Sequence, residues 1–518
     1  MKTIWKENGK SDSVGKERGE SIWIQDEYRD RPEEKEKTGD RPTLTKDISV
    51  EVAVIGAGLA GILTAYLLQE QGLDTVLLEA HEAGRGITKN TTAKITSQHG
   101  LIYKKLLSYK GEEGAWEYAM ANQEAIGQFE EIIHKLGISC DYEVMPSYIY
   151  SLNNEQLIKD EVEAAKGLGL PATFTRDTTL PFQVKGAVRF DNQAQFHPLK
   201  FMDALSKHVT LYEKTKVTQL CTGGLIVTDK GNVRAKAIVI ATHYPFINAP
   251  GYYFFKMHQE RVYLSAIEGE DIHNKAPLDG MYLDADPKGF TFRRYRDYLL
   301  LGSGNHRTGQ YTPLDAYARI EMAASKWYPN ARIKYTWSNQ DCMTPDSIPY
   351  IGRYSVNTSN IYVATGFNKW GMTSSMVAAN IIRDMIIRKG NKYQEVFNPR
   401  RLMLSGSSKL LKDAAIITIS LLKEHMKIPH DKLSDIKVGK GGVVNENGER
   451  YGVYRETEDR YYFVTTKCPH LGCSLEWNQN EMTWDCPCHG SRFDYKGNLI
   501  SNPASRDVFN ACQRKKKG

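Results

Sequence analysis

Two short loops near the C-terminal end hold the residues best suited to chemistry. They read Cys468-Pro-His470-Leu-Gly-Cys473 and Cys486-Pro-Cys488-His489-Gly490-Ser491. Thiolates and imidazoles at this spacing are metal ligands. The mixed set fits a [2Fe–2S] cluster in which Cys468 and Cys486 hold one iron while His470 and His489 hold the other. A structural zinc site is the alternative, since zinc takes the same residue types. Zinc needs only four of the six, however, and gives no reason for the flanking Gly472, Gly490 and Ser491. Residues 471–485 are enough for a short hairpin that brings the two loops tip to tip.

A second pattern lies far upstream. The apolar run VEVAVI at 50–55 suits a buried parallel strand. Gly56-Ala-Gly58-Leu-Ala-Gly61 follows, then the helical pattern ILTAYLLQEQG, then a second strand TVLLE that ends at Glu79. Strand, G-x-G-x-x-G, helix, strand and an acid about 20 residues on form a dinucleotide-binding fingerprint. In this reading Gly56 makes the tight turn, Gly58 admits a pyrophosphate, and Gly61 lets helix meet sheet. The helix N-terminus offers free N–H groups to phosphate, and Glu79 can accept from ribose hydroxyls.

The two C-terminal loops closely resemble those of the Rieske domain, of the kind found in respiratory and photosynthetic cytochrome complexes. That resemblance implies a disulfide between Cys473 and Cys488, clamping the loops over the cluster, and a hydrogen bond from Ser491 to a bridging sulfide. Asn502-Pro503-Ala504 resembles the proline loop that covers such a cluster on its third side. One departure matters: those proteins have a tyrosine two residues past the serine, where this chain has Phe493. With one hydrogen bond to sulfur fewer, the potential should sit below the top of the Rieske range. Both histidines are expected to present their free ring N–H to solvent, so the potential should fall as pH rises into the alkaline range.

Three segments, in order, resemble flavoproteins of the D-amino-acid oxidase and glycine or sarcosine oxidase superfamily. The first is Gly84-Arg85-Gly86-Ile-Thr88 with Asn90-Thr91-Thr92-Ala93-Lys94. The second is the strand AIVIATHYPF carrying Thr242. The third is Asp346-Ser-Ile-Pro349-Tyr-Ile-Gly352, the strand IYVATGF with Gly366, and Asn368-Lys369-Trp370-Gly371-Met372. The resemblance implies FAD, contacted by Gly56, Gly58, Gly61, Glu79, Gly84, Arg85, Thr92, Ala93, Lys94, Thr242, Gly352, Gly366, Gly371 and Met372. A helix starting near Gly371 would point its dipole at the flavin's pyrimidine end. Some relatives bind FAD covalently through a cysteine upstream of T-P-D. Here Cys342 stands only two residues before Thr344-Pro345-Asp346, so non-covalent FAD is expected and Cys342 reads as a small buried residue.

Length and composition fit this reading. The chain has 518 residues, 41% apolar content and a formal charge of +6, enough for two to four domains with sizeable cores. The only local basic run is Arg514-Lys515-Lys516-Lys517, so nucleic acid is not indicated. The first twenty residues contain no apolar core of a signal peptide, and Ala414 to Leu422 is too short to span a bilayer. A cytoplasmic protein with no transmembrane segment is the expectation.

The expected organisation is a polar arm at 1–46 with a small apolar patch at Ile22-Trp23-Ile24, then an FAD-dependent oxidoreductase domain at 47–395. A partly helical connector at 396–432 and a Rieske domain at 433–512 complete the chain. The fold class is an α/β FAD-binding Rossmann-type domain interleaved with an α+β substrate domain, plus an all-β Rieske domain, read as a small antiparallel barrel. FAD-binding segments are expected near 47–110, 190–245 and 335–390, with the substrate sheet mainly from 140–190 and 246–334.

The whole design is similar to bacterial flavoproteins of the amino-acid-oxidase superfamily that carry a C-terminal Rieske domain. The resemblance implies oxidation of an amine or amino-acid-like substrate at FAD, with single electrons leaving through the cluster to an external acceptor. The alternative is an electron-transfer protein without a small organic substrate. Lys369 is the one candidate for a residue that touches flavin or oxygen, and no general base is assigned. Arg293 and Arg294 could clamp a substrate carboxylate or serve elsewhere. His197 and His306 read first as loop or capping residues.

Overall fold

The structure, a computed structural model, describes residues 17–30, 41–274, 278–310, 315–401, 433–446 and 449–508. Most of the expected connector, the Ala414–Leu422 stretch, Cys512 and the basic run at 514–517 lie outside the described residues.

The VEVAVI run forms the strand Ile48–Ile55, buried from Val52 onward. Apolar residues on both its faces mark a central strand covered on both sides. It pairs in parallel with Thr75–Leu78 and with Asn232–Ile240. The sheet continues through Leu211–Tyr212 at one edge. At the other it continues through Ile361–Thr365 and the antiparallel Tyr350–Arg353. The helices Leu59–Gln69 and Gly371–Ile386 pack against each other in its core.

A second, ten-stranded mixed sheet is threaded through the first. From its second strand to its far edge the order is Ala331–Met343, His258–Gly269, Tyr298–Arg307, Thr291–Tyr295, Met281–Asp284, Glu143–Ser151, Gly186–Gln195 and Lys94–Ile95. Ala331–Met343, expected on the FAD side from residue 335, belongs to this sheet instead. It pairs antiparallel with His258–Gly269 along its whole length, and that ladder fixes its membership. The patch at Ile22-Trp23-Ile24 is buried on the body: Trp23 Nε1 donates to Thr91 O at 2.7 Å, and its ring packs edge-on to His197 and Tyr295.

The C-terminal region is all β, but as two antiparallel sheets rather than one barrel. One comprises Gly441–Glu446, Glu449–Arg455 and Tyr461–Thr465; the other comprises Glu476–Asn478, Thr483–Asp485, Arg492–Asp494 and Leu499–Ser501. Trp484 of the second sheet reaches Gly452 and Val464 of the first, closing a core with Phe493, Leu475 and Ala504. No described helix is long and apolar enough to cross a membrane.

Candidate redox site

The two Cys/His loops meet tip to tip. Cys473 and Cys488 are joined in a disulfide with an S–S distance of 2.10 Å. The sulfurs of Cys473, Cys486 and Cys488 lie within 4.8 Å of one another, but the disulfide removes two of them as ligands. Cys468 and Cys486 remain as free buried thiols. They hydrogen-bond each other, which holds Cys468 below the usual thiol range and, with burial, pushes Cys486 above it.

The His470 and His489 rings stand perpendicular with centroids 4.9 Å apart. Burial lowers His470 to about 4 and His489 to about 3, so both imidazoles are neutral, the form that binds metal. Among the described residues, His470 Nδ1 and both ring nitrogens of His489 are buried without a protein partner. Buried nitrogens without partners beside two free thiols are what a cluster would satisfy, so this donor set fits [2Fe–2S]. Ser491 faces Cys468 and accepts from Ala504 N at 2.9 Å, tying the proline loop to the ligand loop.

The expectation of solvent-facing histidine N–H groups is not met. His489 is 1% exposed, and His470 Nε2 lies 2.8 Å from Asn248 Oδ1. Phe254 packs edge-on against both rings, with centroids at 5.9 Å from His489 and 6.2 Å from His470. The cause is the flavoprotein-side surface, which covers the tip.

Four consecutive carbonyls of the second loop are held from that surface. Arg307 donates from Nε to Pro487 O and from Nη2 to Cys488 O, both at 3.1 Å. Gln259 Nε2 donates to His489 O at 2.7 Å, and Gln340 Nε2 to Gly490 O at 2.8 Å. Gln340 also donates to Gln259 Oε1 at 2.7 Å. Gly490, at φ +83°, leaves no room for a side chain: a Cβ there would sit 2.6 Å from Gln259 Cβ. Its small size serves this close approach between halves of the chain. Asn502 Nδ2 bonds Thr242 O and Tyr244 O at 3.0 and 2.8 Å.

At the other centre, Gly56 turns at φ +99°, and Gly61 lies so close that a Cβ would fall 1.8 Å from Gly56 O. A Cβ on Gly58 would touch only Thr88 Oγ1, at 3.6 Å, so the space before the helix is open. Gly58, as N-cap, brings no side chain to the helix Leu59–Gln69; Leu59 N donates to Thr88 Oγ1 at 3.3 Å, and the amides after it can take an anion. Glu79 receives Ala57 N at 2.8 Å and His81 N at 2.9 Å, which fixes the carboxylate beside the glycine turn. Gly84 N donates to Ala57 O at 2.9 Å, folding the Gly84-Arg85 segment over the same loop. An open cradle, uncapped amides and an oriented acid fit a dinucleotide.

Residues 51–385 match the DAO family, described as FAD dependent oxidoreductase, and residues 426–511 match the Rieske [2Fe-2S] domain. The chain belongs to the FAD dependent oxidoreductase family. YhfW of Bacillus subtilis, a protein named for a Rieske 2Fe-2S iron–sulfur centre, is 36% identical over 483 residues, covering 90% of this chain and 94% of its own. Gamma-glutamylputrescine oxidoreductase of Escherichia coli is 23% identical over 385 residues, covering 69% of this chain and 88% of its own. The glycine oxidase structure from Geobacillus kaustophilus superposes with a TM-score of 0.58 at 16% identity, covering 68% of this chain and 99% of its own. This protein is therefore a flavin-dependent oxidoreductase, with FAD and a [2Fe–2S] cluster as its cofactors.

Within this family frame, several expected contacts fall elsewhere. Lys94 starts a short strand paired with Gly186–Gln195. That pairing turns its ammonium into the substrate sheet, onto Tyr282 O at 3.0 Å and the Thr291 hydroxyl. Burial and the charge of Arg293 lower it to about 7. Gly352 faces Pro399, 3.2 Å from where its Cβ would be, so it serves packing. Gly366 turns at φ +71° against Thr344. Arg293 is 1% exposed and donates to Gln195 Oε1, Thr92 O and Phe196 O, so it does not clamp a substrate. Thr92 thus meets Arg293 through its carbonyl, and Ala93 is buried beside it. His197 caps the helix Pro198–Ser206 through Nδ1. His306 lies in a strand and stacks on Tyr263.

Lys369, at φ +74°, precedes the helix Gly371–Ile386 that carries Met372, and that helix also lacks a side-chain cap. Its Nζ sits 2.7 Å from Glu260 Oε2. Burial opposes ionisation of Glu260, but His258 and Lys369 hold it well below the usual carboxylate range. Asp341, directly across the ladder from Glu260, is instead pushed up to about 6 by burial. Cys342 is buried, with Sγ 3.3 Å from His243 Nε2.

Gln259, Gln340, Arg307, Glu260 and Asp341 are absent from the sequence-derived site. Their spacing carries no signal, because strand pairing alone brings them together.

Proposed function

We propose that this protein oxidises the C–N bond of an amine or amino-acid-like substrate at FAD and passes the electrons singly through its cluster to an external acceptor. When bound, FAD accepts two electrons and can release them one at a time, and a Rieske cluster carries one. The observation that carries the reading is the strand His258–Gly269. One face of it takes Lys369, at the start of the proposed flavin helix, through Glu260, and its other face seats the cluster loop through Gln259. The chain builds one protein body around both cofactors, as an internal electron hand-off needs. The names of two similar proteins, gamma-glutamylputrescine oxidoreductase and glycine oxidase, support the amine-like substrate class.

In this reading Gly56, Gly58 and Gly61 with the helix N-terminus at Leu59 hold the pyrophosphate, Glu79 orients the ribose, and Gly84, Arg85 and Thr242 line its path. The N-terminus at Gly371 and Met372 favours negative charge on the flavin's pyrimidine side. Asp341, with its carboxyl near 6, can hold or give up a proton close to neutral pH. Lys369, paired with Glu260, presents a fixed ammonium beside that helix.

Anaerobic titration with amines and N-methyl amino acids tests the proposal. Flavin bleaching followed by cluster reduction is the expected sequence. A cluster that reduces only from an added protein donor, with no amine ever bleaching the flavin, would favour an electron-transfer protein instead.

A further inference from the structure

The paired strands His258–Gly269 and Ala331–Met343 send one set of side chains to the cluster loop and the alternate set to the opposite face. On that opposite face Glu260, Val262 and Leu264 stand across from Asp341, Asn339 and Trp337. Trp337 Nε1 donates to Asn90 O at 3.0 Å, and Glu260 takes Lys369 Nζ at 2.7 Å. Asn90 and Lys369 belong to two of the segments that carry the flavin resemblance. Asn339 lies between the two contacts and Asp341 beside the second, so both stand on the wall that meets the flavin segments.

Donors and acceptors do not balance there. Among the described residues the Asp341 carboxylate accepts only from Asn339 Nδ2, at 3.3 and 3.4 Å, which is long for a hydrogen bond. Asn339 is 7% exposed, and its Oδ1 has no partner among the described residues. Buried acceptors of this kind ordinarily have a donor. The cations whose charge bears on Asp341 are engaged elsewhere: Lys369 by Glu260 at 2.7 Å and Arg261 by Glu481 at 2.8 Å. Arg293 and Lys94, beside the Thr92–Lys94 segment, direct their donors to Gln195, the Thr291 hydroxyl and backbone carbonyls. What fits is a ligand that brings N–H donors and positive charge. A carboxylate on the carbon next to that nitrogen would meet Asp341 and Glu260, two groups of its own charge.

We propose that Asp341 and Asn339 form the ammonium-binding site for the substrate, and that the substrate is an amine with no carboxylate beside its nitrogen. The inference rests on the proposed amine oxidation and narrows it. Amino acids are rejected by repulsion. Alkyl amines are selected by a charge-assisted hydrogen bond to Asp341 and a second bond to Asn339 Oδ1.

Binding to the oxidised holoprotein, read from the shift of the flavin absorbance bands, tests this apart from turnover. The probes are pairs that differ by one carboxylate: butylamine with norvaline, putrescine with ornithine, and phenethylamine with phenylalanine. Titrations run at pH 8, above the value of about 6 to which burial raises Asp341 and below that of an alkyl ammonium. Among the pairs that bind, the amine should bind at least about tenfold tighter than its amino acid. Asp341→Asn should weaken amine binding about tenfold without weakening that of the amino acid, and Asn339→Leu should have a smaller effect on the amine. FAD content and the cluster's EPR signal check the fold of both variants. Amines that bind in this Asp341-dependent way but never bleach the flavin anaerobically would refute the oxidation and uphold the binding site. Amino acids that bind as tightly as their amines, no binding by any amine of the panel, or amine binding unchanged in Asp341→Asn would overturn the proposal. So would loss of FAD from Asp341→Asn, because the carboxylate would then serve the cofactor.

Discussion

Gln259 and Glu260 are neighbours in one strand, yet one side chain meets the cluster loop and the other meets the residue just before the helix Gly371–Ile386. Gln259 Nε2 reaches His489 O at 2.7 Å, while Glu260 Oε2 takes Lys369 Nζ at 2.7 Å. The pleat of a strand sends successive side chains to opposite faces, so a single peptide unit separates the two contacts. Gln340 and Asp341 repeat the arrangement on the paired strand.

Gln340 is the central polar group of this seam, so removing it should loosen the cluster loop. Gln340→Leu leaves Gly490 O and Gln259 Oε1 buried without their donor, a cost of about 1–3 kcal/mol. The variant should assemble its cluster, melt at lower temperature by visible circular dichroism, and reduce the cluster from flavin more slowly. An unchanged melt and an unchanged transfer rate would show that the seam does not depend on Gln340.

Glu481 should make the seam acid-sensitive. It is mostly shielded from solvent, which disfavours its charge, but Arg261 at 2.8 Å and Arg492 at 3.2 Å hold it down to about 2. This folded value lies below the ordinary 4.5. The pair therefore contributes full stability above pH 4.5, about 3 kcal/mol by linkage, and loses it as pH falls toward 2. Acid titration followed by cluster absorbance should show a loss in that window. Glu481→Gln should remove that step while lowering stability at pH 7, since Arg261 is left buried without its carboxylate partner. An acid profile identical in the variant would assign the sensitivity to other groups.

The glycine turn and the two cluster loops were legible because their chemistry is local. Gly56 and Gly61 need only their neighbours to require small residues, and the loop ligands fall within a few positions of each other. The seam was not legible. Gln259, Arg307 and Gln340 donate to backbone carbonyls, which leave no mark on residue type, and they converge only through antiparallel pairing. Lys94 and Gly352 show a different limit. The family resemblance put both among the FAD-contacting residues, but strand pairing and packing against Pro399 decide where each lies.

FAD should leave the protein on denaturation. Cys342 is buried with its sulfur on His243, and burial pushes its thiol well above the usual range, which disfavours a nucleophilic thiolate. Acid precipitation should therefore carry all yellow colour into the supernatant. Flavin retained in the pellet, and mapped to the Cys342 peptide, would reverse this assignment.

Gly58→Val should abolish FAD binding while the cluster spectrum survives. The space that a valine would fill holds only Thr88 Oγ1 nearby, at 3.6 Å from a Cβ, so the change costs the fold little and obstructs the phosphate position. The four proposed cluster ligands, Cys468, His470, Cys486 and His489, come from loops far along the chain from Gly58. Loss of the cluster as well would mean that the seam needs bound FAD to form.

The cluster potential should respond in the same direction to changes on two sides. Asn248 Oδ1 accepts from His470 Nε2 at 2.8 Å, and such an acceptor makes the imidazole a stronger donor to iron. Asn248→Leu removes it, so the ligand donates less and the potential should rise. Phe493 is fully buried in the cluster domain's core. Phe493→Tyr adds a hydroxyl that, by the Rieske resemblance, donates to a cysteine sulfur; a sulfur so bonded carries less charge to iron, and the potential should again rise. The two changes act through different ligands and should add in the double variant. EPR-monitored redox titration reads all three values. A fall in potential for Asn248→Leu would mean that Asn248 does not act as an acceptor toward His470.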